Sequence, residues 1–170
     1  MDSPLTALGE QHGHDQGQIL KTHRADWSGF DAFHSPLLRA KRTAGFALGP
    51  IGKTSTPDDR LKEVAFGEWE GRTPEEIAAV TPGHMEALEA DPFGIHFHSP
   101  GGETFEDMET RCRAVLSDLK RPAILVCHGI TSRVLRGIWL GLDIYGMSDL
   151  PGGQGCVYRL SDAGHELLEL

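Results

Sequence analysis

A layered α/β fold, with helices on the faces of a parallel sheet, is the class this sequence predicts, and three observations point to it. Helical and strand-like segments alternate along the chain. Ala123 to Cys127 is a near-continuous apolar run, as expected of a strand buried on both faces. The 170 residues, 39% hydrophobic and 24% charged, suffice for one domain, residues 1–170, around a single sizeable core.

The elements follow in order. Thr6 caps a helix running through Leu8, Ile19 and Leu20, and Phe30 to Phe33 is a short apolar run that fits a buried strand. Ser35 followed by Pro36 starts a helix that carries Arg39 and runs to about Leu48. Gly49 to Asp59, rich in Gly, Pro, Ser and Thr, reads as a loop. Thr73-Pro74-Glu75-Glu76 is a capping box with Pro at the first position, opening a helix through Ile77 and Val80 that Pro82-Gly83 ends. Asp91 to Gly102, with its Pro, Gly and His residues, reads as a surface loop. Glu103 to Leu119 is a long helix with Phe105, Met108, Cys112, Val115 and Leu119 on one stripe. After the Ala123 to Cys127 strand, Thr131 to Leu140 returns as a helix. Gly155 to Leu160 and Glu166 to Leu168 close the chain as a strand pair around the turn at Ser161 to Gly164.

Sixteen basic against twenty-five acidic residues give a net charge of −9, which excludes broad contact with nucleic acid or anionic membrane. An anionic ligand then needs a local cluster of Arg and His. Cys112, Cys127 and Cys156 show no pairing pattern and no zinc-like spacing, so reduced thiols in a cytoplasmic protein are expected. No apolar run approaches membrane-spanning length and no leader pattern is visible.

The chemistry is expected at the strand ends. A strand, then Cys127-His128-Gly129, then a helix places His128 at the carboxyl edge of a parallel sheet, where open α/β folds bind ligands. Gly129 would let the backbone turn sharply, and helix amides beyond it can face an anion. Taken alone, such a His is more often structural, an Arg in a first helical turn is more often solvated, and an isolated Glu is more often on the surface.

Their contexts change that balance. Leu61 to Gly71 (LKEVAFGEWEG), Ser35 to Ala44 (SPLLRAKRTA) and Ala123 to Gly129 (AILVCHG) resemble, in order and spacing, the histidine phosphatase superfamily, also called phosphoglycerate-mutase-like. The resemblance implies a three-layer α/β/α sandwich with a mostly parallel sheet. It also implies metal-independent hydrolysis of a phosphomonoester on a small phosphorylated metabolite, without a cofactor. Arg39 would clamp phosphate with its guanidinium fork, Glu63 would serve the leaving group as proton donor, and His128 would stabilise charge in the transition state.

Pro100-Gly101-Gly102-Glu103 resembles the family's Gly-Glu-Ser stretch, so Glu103, with His96 and His98 of the preceding loop, could face substrate. Glu103 reads equally well as an acid at the positive end of a helix dipole. His96 and His98 lack acidic or Cys partners in sequence, and no metal is expected there.

One part of the family pattern is not matched. Its first strand ends in Arg-His-Gly, whose His takes the phosphoryl group, and Met1 followed by Asp-Ser-Pro-Leu-Thr resembles the stretch just after it. His12 lies in Gln11-His12-Gly13 but has no apolar strand before it and falls in the first predicted helix. The first central strand is therefore expected to be missing, on the order of 20 residues, with Met1 an internal methionine of a longer protein. Exposed edges left in the sheet would invite pairing, including a homodimer. A phospho-ligand-binding or regulatory module without turnover is the alternative to a phosphatase. A phosphoglycerate mutase is a third, though the short span from Gly71 to Glu103 leaves little room for the insertion that mutases of the family carry.

Overall fold

The computed structural model describes residues 2–170; Met1 lies outside the described residues. Seven α-helices, four short 3-10 helices and five strands make up the described residues. Helix α1 (Ala7–His23) starts at Thr6, whose hydroxyl accepts from the Gly9 amide at 3.1 Å. Strand β1 (Asp31–His34) leads to helix α2 (Leu38–Leu48). Strand β2 (Thr56–Pro57) lies inside the stretch expected to be loop. Helices α3 (Pro74–Ala78) and α4 (His84–Ala90) follow, with both bonds of the Thr73–Glu76 capping box formed. Helix α5 (Phe105–Asp118) is capped by Thr104 and precedes strand β3 (Ala123–Val126) and helix α6 (Gly129–Leu140). Helix α7 (Ile144–Ser148) and the hairpin of β4 (Val157–Ser161) and β5 (Gly164–Leu168) end the chain.

Strands β2, β1 and β3 form an all-parallel sheet in that order, with Phe33 opposite Leu125 and His34 opposite Val126. Alternating residues sort into two cores, as the twofold period of strands demands. Ala32, Ile124 and Val126 join Leu20 of α1 and Ala44, Ala47 and Leu48 of α2. Phe33 and Leu125 face the opposite cluster, built on Met108, Cys112 and Val115 of α5 and Val134 and Leu135 of α6. The molecule is thus a three-layer α/β/α sandwich whose carboxyl strand ends share one edge.

Three expectations are corrected. All four residues of β3 are half-buried, where the apolar run predicted burial on both faces. The reason is topological: among the described residues β3 pairs with β1 alone, and β4 and β5 form a separate antiparallel pair. Ser35 does not cap α2, because its hydroxyl is drawn to His128 and lies 3.4 Å from the Leu37 amide. The Asp2 carboxylate caps that helix instead, accepting from the Leu38 amide at 2.7 Å. Gly129 has no positive φ and begins α6 in ordinary helical backbone, so no sharp turn requires it.

Candidate active site

His128 follows β3 by two residues and sits opposite the start of α2. Its Nδ1 accepts from Arg39 Nε at 3.3 Å, and its Nε2 lies 2.8 Å from Ser35 Oγ. Because Nδ1 faces a guanidinium that can only donate, the ring proton belongs on Nε2, directed at Ser35. Burial pushes the imidazole down to about 4, reinforced by the Arg39 and Arg111 cations and opposed weakly by Asp2. His128 is therefore a neutral donor at physiological pH, suited to bonding an oxyanion without adding charge.

Glu63 reaches the same edge from the turn between β2 and α3, and it caps α6. Its Oε1 accepts from the Val64 amide (3.2 Å), the Thr131 amide (3.1 Å) and the Thr131 hydroxyl (3.0 Å), and its Oε2 from the Ile130 amide (3.2 Å). The carboxylate meets the positive end of the helix dipole, which favours negative charge. Thr131 is fully buried, and its single hydroxyl proton is shared between the Lys62 carbonyl at 2.7 Å and Glu63 Oε1.

Arg39, Glu63, Lys62 and Glu70 line a cleft of about 170 Å³ with Leu37, Val64, Ala65 and Phe66. A larger depression of about 410 Å³, lined by Trp139, Leu140, Ser161, Asp162 and Gly164, offers no cation to an anionic ligand.

The Glu63 motif is held by its glycines and by the loop across from it. Gly67 has φ 49°, and a Cβ there would lie 2.3 Å from the Pro100 carbonyl oxygen, so the residue must be Gly. Ser99 Oγ donates to the Phe66 carbonyl, the Glu103 amide to the Ala65 carbonyl (2.8 Å) and the Glu68 amide to the Pro100 carbonyl (3.0 Å). Trp69 packs beneath with Ile77 and Ile95, edge-on to the His84 ring at 4.7 Å.

Arg39, Glu63 and His128 thus come together, while the loop residues divide. Glu103 pairs with Arg111 at 2.5 and 2.9 Å, and its Oε2 also accepts from the amide of cleft-lining Ala65 at 3.4 Å, so it braces the lining from behind. His96 stacks edge-on to Phe66 at 5.5 Å, and burial holds it below the ordinary histidine range, opposed by Glu63. His98 is exposed, and Gly129 leaves space 3.9 Å from Glu63 Oε2. His12 lies within α1, as its sequence context predicts. Sequence reasoning missed Ser35 and Thr131 as partners of the site, because each reads locally as a helix-start residue. Glu70, exposed at the end of the same motif, also lines the cleft.

The parallel sheet between helical layers, with Arg39, Glu63 and His128 converging at its carboxyl edge, defines an α/β/α class with a polar cluster at the strand ends. The chain belongs to the histidine phosphatase superfamily (branch 1), whose family profile matches residues 1–167. Among its relatives, the glucosyl-3-phosphoglycerate phosphatase of Mycolicibacterium vanbaalenii is 29% identical, over 97% of this chain and 75% of that protein. A probable phosphoglycerate mutase GpmB of Salmonella newport is 33% identical, over 85% of this chain. The chain spans 66% of that mutase's length. A mycobacterial glucosyl-3-phosphoglycerate phosphatase structure with VO3 superposes with a TM-score of 0.80 at 27% identity, covering 99% of this chain and 87% of that one. A Thermus thermophilus protein superposes with a TM-score of 0.70 at 30% identity, over 100% and 87%. No helix of the described residues is long and apolar enough to cross a membrane.

Proposed function

We propose that this site handles the phosphoryl group of a small phosphomonoester, and that the protein is a metal-independent phosphatase in which a histidine outside the nine of this chain accepts the group. The observation that carries the reading is the convergence of Arg39, Glu63 and His128, from three separated segments, on one edge of the sheet. The relatives named as phosphatases and mutases support it.

In this reading the Arg39 fork holds two phosphate oxygens, and neutral His128 donates from Nε2 to a third after leaving Ser35. Glu63 protonates the departing alkoxide. A proton on Glu63 displaces one of its four donors, so leaving-group protonation accompanies a shift of the carboxyl off the α6 terminus. Transfer through a phosphohistidine splits the displacement into two easier steps.

A second reading, a phospho-ligand binder without turnover, is favoured by the lack of any Arg-His-Gly stretch in the chain. Calorimetric titration with inorganic phosphate, then turnover of an aryl phosphate with chelator present, tests both. The chain should bind phosphate, with Arg39→Ala weakening binding about tenfold or more. Preceding the chain by a strand ending in Arg-His-Gly should raise turnover by on the order of 10⁴. No phosphate binding defeats both readings. A folded, phosphate-binding, extended chain that stays inert on a panel of phosphates leaves the binder standing and the phosphatase refuted.

A further inference from the structure

Helix α6 opens with Gly129, where a Cβ would meet nothing nearer than Glu63 Oε2 at 3.9 Å. The helix start is therefore open on a face that looks towards the Glu63 carboxylate. Arg133 lies four residues on, over the same face, and helical side chains lean back towards the amino terminus. Its guanidinium lies 5.3 Å from the ring centre of Phe93, in the loop that carries His96. Nη2 also lies 2.6 Å from where a Cβ of Gly152 would stand, so the loop before β4 closes against the same cation.

His96 reaches this place from its loop. The ring stacks on Phe66, which lines the cleft, and lies within electrostatic reach of both Glu63 and Arg133. Neither Arg133 nor His96 makes a side-chain hydrogen bond or an ion pair among the described residues. Arg60 and Arg111, half-buried like Arg133, each grip a carboxylate with two nitrogens. A half-sheltered guanidinium with its fork unspent is suited to an incoming oxyanion.

The two sets of cations address different ends of the site. His128 feels Arg39 and Arg111, whereas His96 feels Arg133 and the Glu63 carboxylate. With phosphate at Arg39 and His128, and Glu63 at the departing oxygen, Arg133 and His96 face the alcohol that leaves.

We propose that Arg133, with His96, determines specificity by holding a second anionic group, carried on the alcohol of the phosphomonoester. The inference rests on the phosphoryl reading of Arg39, Glu63 and His128 and names what the leaving group bears. The second anion also brings negative charge beside Glu63, which favours the protonated carboxyl that a leaving-group acid requires. A carboxylate and a second phosphate make the same demand on a guanidinium fork.

The test is calorimetric titration of the full chain with phosphonates, which resist hydrolysis and so read binding apart from turnover. Carboxyethylphosphonate carries the second anion, and hydroxypropylphosphonate has an alcohol in its place. The carboxyl compound should bind about tenfold tighter than the hydroxyl compound. Arg133→Met should bring the two to parity, while inorganic phosphate binds within about twofold of the parent. Arg133→Lys keeps the charge without the fork and should leave about a threefold preference. His96→Phe keeps a ring on Phe66 and should lower the preference without changing phosphate affinity. A merely structural role for either residue would move all three ligands together. A propane bisphosphonate separates the sources of the charge: tighter binding than the carboxyl compound assigns the subsite to a second phosphate, weaker binding to a carboxylate.

A parent that binds inorganic phosphate but does not distinguish the carboxyl from the hydroxyl compound would overturn the inference and leave the phosphatase reading standing. A preference unchanged in any of the three variants would overturn it too, and if Arg133→Met does not fold, Arg133→Lys decides in its place. A parent that binds no inorganic phosphate fails earlier, at Arg39 and Glu63, and takes the inference with it.

Discussion

Two arginines on neighbouring helices of one layer, half-buried Arg111 and buried Arg136, differ in how they are satisfied. Arg111 on α5 forms a fork with both oxygens of Glu103 and gives its third nitrogen to the Arg60 carbonyl. Arg136 on α6 has one carbonyl and an aromatic face, with two donors idle. The first closes the flank that holds the Glu63 turn, and the second lies beside the unpaired edge of β3. The contrast shows that a carboxylate fork, and not depth of burial, decides which guanidinium is fully satisfied among the described residues.

Removing each cation should break that contrast most sharply. Arg111→Met strands a Glu103 carboxylate whose side chain is only 15% exposed, and should cost about 3 kcal/mol by urea unfolding. Arg136→Leu removes an uncompensated charge and should leave stability within about 1 kcal/mol of the parent or raise it. Equal losses from the two would mean that the fork is not what decides.

Acid should sharpen the comparison next, at His128, between the two arginine-bearing helices in the chain. His128, held near 4 when folded, regains its ordinary value near 6.5 on unfolding. The unfolded state therefore takes up the proton first as pH falls. This stability term is intact above about 6.5 and is lost on the way down to 4, by up to about 3 kcal/mol. His34 and His96, both lowered by burial, act in the same direction. Denaturant midpoints followed from pH 7 to pH 4 should fall, and His128→Gln should flatten the fall; an unchanged slope would remove His128 as its cause.

The smallest effect is expected at Ser35. Ser35→Ala deletes the acceptor for His128 Nε2 and should cost about 1 kcal/mol. The ring should lose its single tautomer, which nitrogen chemical shifts of His128 would report. A ring that keeps its tautomer after the substitution would place the control in Arg39 alone.

What the sequence made legible was local chemistry. The Thr73 capping box, the α5 stripe of Met108, Cys112 and Val115, and the placement of His128 after a strand are written within a few residues each. The gathering of Arg39, Glu63 and His128 came through family resemblance, since no local pattern joins segments so far apart. The exposure of β3 could not be read, because the run of Ala123 to Val126 has the composition of a doubly covered strand and its cover depends on a partner elsewhere. Two-residue β2 and short α4 and α7 carry too little periodicity to register. Ser35 was misassigned because the cap signal is local, while the pull of His128 comes from 93 residues away.

The staple between the Gly67 turn and residues 99–103 bears on how a ligand gets in. Its backbone bonds, the Gly67 approach and the Glu103–Arg111 fork would all have to break before that loop could swing like a lid. This loop is therefore held in one place beside the cleft. Entry is governed by diffusion through a field of net charge −9, which slows anions at low ionic strength and relents as salt is added.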